Sequence, residues 1–244
     1  MYFFFHLAVG IVLGLLAADL FDDGRWLVPC AVGAILPDLI DKPLGILLPQ
    51  VYFGYGRVFF HTLPVLVLVL VAGVIFWIYR RSPLLPALAA GILSHQVLDA
   101  MWNEPAGWFF PFLGTPRFWQ TSPNRGILLL LGNNLMNPSE WIIAGFLFTG
   151  FLLWLKRDQV LAFAREHGRG LGVTLEIGGI LLLVMSGIIL TSGAIRKILS
   201  PHGRFGISGS LISGLVIALG AVLLWRWGSR LEAGGPGPGR PGGT

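Results

Sequence analysis

The chain has 244 residues, 55% of them hydrophobic and only 12% charged, with a mean hydropathy of +0.75. A soluble domain carries about 25% charge, so this is an integral membrane protein and not a disordered chain, a disulfide-stapled secreted domain or an ordinary cytosolic enzyme. The net charge of +5 reads as basic residues in cytoplasmic loops and against anionic lipid, and no nucleic acid is expected; the single Cys30 can form neither an intrachain disulfide nor a thiolate zinc site.

The first apolar run, residues 2–21, is long enough to span, and no basic stretch precedes it, so no cleavable signal peptide is expected. After Asp22-Asp23-Gly24-Arg25 comes a short segment, 26–40, that ends in an acidic motif. Residues 43–56, with Pro43 and Pro49, read as loop or interfacial. Spans follow at 58–79 and 84–101. Residues 102–137 are rich in Trp, Pro, Gly and Asn and read as a cover over one membrane face, with Trp102, Trp108 and Trp119 at headgroup level. Three more spans follow at 138–155, 173–190 and 207–225. The expected fold is all-α: a polytopic membrane helix bundle of about seven membrane segments, one short, with a loop-rich cover. Its expected parts are a metal-site bundle with cover (1–137), three further transmembrane helices (138–233) and a flexible tail (234–244). In such a bundle ten of the 17 Lys and Arg fall on one face. The positive-inside rule makes that face cytoplasmic and puts the N-terminus outside. Gly10, Gly14, Gly33 and Gly91 read as points of close helix packing.

Ionisable groups at membrane depth are costly and suggest a site. His6 starts the first span, Asp38 and Asp41 end the second, Arg57 and His61 begin the third, and His95 and Asp99 end the fourth. Alternating helices bring these to one membrane face. His95 and Asp99 (i, i+4) share a helix face, as do Asp38 and Asp41 (i, i+3), and also Arg57 and His61 if their helix begins early enough. Three His and three Asp form a nitrogen-and-oxygen ligand set that suits zinc, or manganese or iron. Each group also has a structural reading. His6 could be a packing residue, Asp38 a cap, Asp99 the partner of His95, and Arg57 an interfacial anchor. Glu140 reads first as part of a helix start, Asn137-Pro138-Ser139-Glu140, and second as a ligand or base. Asn103, Asn124 and Arg125 could line an entrance. His167 and His202 join no cluster.

The ordered motifs sharpen this. His6 with Gly10 and Gly14, Gly33-Ala-Ile-Leu-Pro-Asp38-Leu-Ile-Asp41-Lys-Pro, Arg57-Val-Phe-Phe-His61-Thr, Gly91-Ile-Leu-Ser-His95-Gln-Val-Leu-Asp99 and Trp108-Phe-Phe-Pro111 recur in sequence. Over about residues 1–115 the chain resembles the inner-membrane metal-dependent hydrolases of bacteria and archaea. That family is distantly similar to zinc-dependent phospholipase C and the single-strand-specific zinc nucleases. The resemblance implies ligand roles for His6, Asp38, His61, His95 and Asp99, and for Asp41. Gly56 stands where many family members have His, and one or two ions suit the ligand count better than three.

A bound metal with an open position would supply a nucleophile at neutral pH and Lewis acidity. Asp41 or Asp99 would then be the general base, and Arg57 would pair with phosphate oxygens. The expected function is hydrolysis of a phosphoester in a membrane lipid or lipid-linked substrate near the extracytoplasmic face of the inner membrane, by a monomer or an oligomer. The alternatives are a transporter or ion- or proton-conducting protein using the same charges, and a scaffold with a structural metal.

Overall fold

A computed structural model describes residues 3–47, 57, 59–113, 138–156, 159, 162–163, 166–199 and 208–234. Residues 235–244 of the expected tail, and Trp119, Asn124, Arg125 and His202, lie outside the described residues. Among the described residues the chain is all-helical, without a strand. The helices are α1 (Phe3–Phe21), α2 (Leu27–Leu47), α3 (Leu63–Arg80), α4 (Leu84–Leu98), the short α5 (Pro105–Trp108), α6 (Pro138–Leu155), α7 (Gly168–Leu199) and α8 (Ser208–Gly234). Two compact units form, Met1–Leu147 and Phe148–Thr244.

Two expected boundaries are corrected. The second segment does not stop at residue 40: α2 runs on to Leu47 through Pro37 and Pro43. Each proline forfeits one backbone hydrogen bond, but Lys42, one turn beyond Asp38, pairs with it at 2.6 Å and keeps that face in register. The third helix begins at Leu63, not residue 58, with Thr62 as its N-cap residue and Pro64 in its first turn. Arg57 and His61 therefore do not share a helix face; both precede the helix. Of the seven expected membrane segments, α1 and α3 are, among the described residues, long and apolar enough to cross a membrane, whereas α4, 84–98, is shorter. In α4 the apolar stretch is cut by Pro83 at its start and by Ala100, in the left-handed region, just past its end. In α2 it is diluted by Asp38, Asp41 and Lys42.

Glycines decide the packing of the first unit. A Cβ on Gly10 would lie 2.5 Å from Ala34 Cβ, and one on Gly14 would lie 2.8 Å from Leu27 Cα, so α1 runs antiparallel against α2 in close approach. A Cβ on Gly91 would run into the Cys30 carbonyl, and one on Gly33 into the Leu88 carbonyl. α2 and α4 thus lie parallel, backbone against backbone. The same contact brings Ala34 within reach of His95. The outer face of α3 exposes Leu68, Val71, Ile75 and Ile78, as a lipid-facing helix does. At one end of the bundle the rings of Phe21, Trp26 and Trp77 cluster with centroids 4.7–5.5 Å apart. There Asp23 accepts from the Arg25 backbone and guanidinium, bonds that hold its carboxyl below the usual range. The polar cluster occupies the opposite end. In the second unit α7 and α8 form an antiparallel pair, with Gly179 against Ala221 and Gly228 against Gly172 and Glu176.

Gly91→Ala is expected to destabilise the protein by about 1–3 kcal/mol through overpacking against backbone. Gly150→Ala, on α6 with nothing near the added carbon, should be neutral or slightly stabilising. Thermal unfolding in detergent compares the two.

Candidate metal centre

His61 sits in a non-helical turn, 59–62, at the polar end of the bundle, in which His61 and Thr62 are buried and Phe59 is exposed. Its backbone groups need partners there. Asp41 on α2 accepts the backbone N–H of Phe59 and His61 on Oδ2, at 3.1 and 3.2 Å, and that of Phe60 on Oδ1, at 3.2 Å. The carbonyls of Phe60 and Thr62 each accept from Gln96 Nε2 at 3.1 Å. Gln96 Oε1 in turn accepts from Trp108 Nε1 at 2.8 Å. The turn is therefore held on its N–H side by α2 and on its carbonyl side by α4. Trp108 of the covering segment is tied to the same amide.

These bonds also set the imidazoles. His61 Nδ1 lies 2.7 Å from Asp41 Oδ2, and His95 Nδ1 lies 2.7 Å from the Ala34 carbonyl. Both partners only accept, so both Nδ1 atoms carry the proton and both Nε2 atoms present a lone pair. The two Nε2 atoms face each other at 3.1 Å. Asp38 Oδ1 lies 3.6 Å from the first and 3.7 Å from the second and accepts no hydrogen bond, while its Oδ2 is held by Lys42. His61 and His95 are fully buried.

Three atoms spaced 3.1, 3.6 and 3.7 Å apart match three corners of a tetrahedron. Ligands about 2.1 Å from a metal stand about 3.4 Å from one another in that geometry. A single proton shared between the imidazoles would satisfy the nitrogens but leave buried Asp38 Oδ1 without a donor. A divalent cation satisfies all three atoms. A second group, His6, His95 and Asp99, also offers one ligand atom each within 4.8 Å. Here His6 Nε2 lies 3.3 Å from Asp99 Oδ1, and Arg57 Nη2 lies 2.9 Å from Asp99 Oδ2. Arg57 Nη1 is 3.5 Å from Glu104. Four carboxylates (Asp38, Asp41, Asp99, Glu104) thus face two cations, Lys42 and Arg57. One divalent ion balances the remainder.

The family described as YdjM inner membrane protein matches residues 1–162. The chain belongs to that family. It is an inner membrane protein, and the match contains every residue of the cluster and ends before α7. No curated protein and no solved structure matches the chain.

The structure brings His6, Asp38, His61, His95, Asp99 and Arg57 together, as the alternation of helices predicts. Asp41 is in neither ligand group; its oxygens are taken up by His61 and the turn. Glu140 stands apart from both groups. Its Oε2 accepts the Phe4 backbone N–H at 2.8 Å, so it caps the start of α1; Asn137, its expected partner at its own helix start, lies outside the described residues. Asn103 is exposed in a 3-10 turn, and His167, in the second unit, stacks on Phe163. Sequence reasoning missed the roles of Lys42, Gln96 and Glu104. The signal for Gln96 was present: an amide beside His95 in an apolar helix needs partners.

Gln96→Leu removes the Gln96 bond to the Phe60 carbonyl and to the Trp108 N–H, and one of the two donors to the Thr62 carbonyl, and is expected to cost about 1–3 kcal/mol. Trp108→Phe, which frees only Gln96 Oε1, should cost less. Chemical denaturation followed by circular dichroism ranks them.

Proposed function

We propose that the chain is a metal-dependent hydrolase of a phosphoester in a lipid or lipid-linked substrate, at the extracytoplasmic face of the inner membrane. The observation that carries this reading is the convergence of two imidazole lone pairs and the hydrogen-bond-free Asp38 Oδ1 on one point. Zinc suits this donor set, and manganese or iron is also acceptable to it. A divalent ion held by Asp38, His61 and His95 would supply Lewis acidity and a nucleophile at neutral pH.

The chain's own residues supply the rest. Arg57 is partly exposed beside the cluster and offers a planar, permanently charged fork for phosphate oxygens. Hydrolysis joins the water oxygen to phosphorus and breaks the P–O ester bond. Asp99 Oδ2, 3.7 Å from both Nε2 atoms, takes the water's proton and returns it to the departing alcohol. Asp41 positions His61 and has no free oxygen for acid–base work. Phe109, Phe112 and Leu113 are exposed in the segment that follows Glu104, which suits a substrate held in the bilayer. The wider topology in this reading is the bundle of about seven segments with its less basic face outside.

Detergent-purified protein should contain stoichiometric metal and hydrolyse phospholipid in mixed micelles, with activity lost on chelation and restored by zinc or manganese. Arg57→Ala should lower kcat/KM by about two orders of magnitude, with Arg57→Lys intermediate. Metal-loaded protein that hydrolyses no phospholipid or lipid-linked phosphoester would contradict the proposal.

A further inference from the structure

We infer that the centre holds one cation, bound by Asp38, His61 and His95, and that His6 and Asp99 are not ligands but serve the neighbouring anion-facing group around Arg57. This rests on the metal-dependent reading above and narrows it.

The two candidate triads share His95, and they share the same atom of it. His95 Nδ1 carries the hydrogen donated to the Ala34 carbonyl, so only Nε2 has a lone pair. One lone pair makes one coordinate bond. Both triads cannot be filled together.

What else touches each triad decides between them. In the first, both imidazoles are fixed from behind, by Asp41 and by Ala34, the arrangement that orients metal-binding histidines. Asp38 keeps Oδ1 without a hydrogen bond while Lys42 occupies Oδ2. In the second, His6 Nε2 and Asp99 Oδ2 likewise make no hydrogen bond, but Asp99 Oδ2, the oxygen toward His95, lies 2.9 Å from Arg57 Nη2, and Oδ1 lies 3.3 Å from His6 Nε2. Arginine does not lose its charge, so a cation on Asp99 would face a fixed positive group at close range. The guanidinium stands where a two-metal phosphoesterase would place its second ion. It can neutralise phosphoryl oxygens from there without being a metal. His6 and Asp99 hold it.

The test is metal titration of the full chain in detergent, stripped by chelator and loaded with Co²⁺ or Mn²⁺. Wild type should bind one equivalent, with the intense visible band of near-tetrahedral Co²⁺. Asp38→Asn, His61→Ala and His95→Ala should bind none while keeping wild-type circular dichroism. His6→Gln and Asp99→Asn should keep one equivalent and the same band. Arg57→Ala should also keep the ion, but inorganic phosphate should no longer perturb its spectrum. Two equivalents with a spin-coupled Mn²⁺ pair would overturn the inference. So would loss of the ion in Asp99→Asn as complete as in His95→Ala. Wild type that binds no ion is a different result, and it would overturn the metal-dependent reading itself.

Discussion

A non-helical turn that buries His61 and Thr62 at the end of an apolar bundle needs partners for its backbone groups within the protein, and the carboxylate of Asp41 meets much of that requirement. It binds three successive N–H groups and the His61 ring at once. The rest of the site depends on it. With the turn fixed, His61 points Nε2 at His95. With α2 carrying Asp41, the same helix face presents Asp38 one turn earlier. The Gly33 and Gly91 approach then lets the Ala34 carbonyl orient His95. A Cβ at either glycine would part the helices and, with them, the two imidazoles.

Burial makes the resulting charge pattern consequential. Lone pairs and carboxylates gathered in an apolar setting repel one another and are costly to strip of water. Lys42 neutralises the outer oxygen of Asp38 and leaves Oδ1 facing the imidazoles, and Arg57 pairs with Asp99 Oδ2 beside them. A proton or a metal ion could relieve that arrangement. The hydrogen-bond-free Asp38 oxygen and the tetrahedral spacing favour the metal.

Much of this architecture was legible in the sequence. Start, end, start and end of four alternating helices fall on one face whatever their packing, so the grouping of His6, Asp38, His61, His95 and Asp99 follows from order alone. The helix at Pro138–Leu155 has the bounds expected of it, because Asn137-Pro138 is a strong start and Lys156-Arg157 a strong stop. Other features were not legible. Pro37 and Pro43 read as breakers, and only the Lys42–Asp38 pair and the tertiary use of Asp41 explain a helix that continues past them. Asp38 and Asp41 share a face, yet one points at the cluster and the other at a turn from a distant part of the chain. Spacing cannot separate them. Glu140 obeys the local grammar of a helix start, and its partner is the N-terminus of another helix.

The most direct measurement is X-ray absorption at the zinc edge of zinc-loaded protein. The structure predicts a shell of nitrogen and oxygen alone at about 2.0–2.1 Å, with outer-shell scattering from two imidazoles. An oxygen-only shell, or one without imidazole scattering, would contradict the convergence of His61 and His95 on a metal.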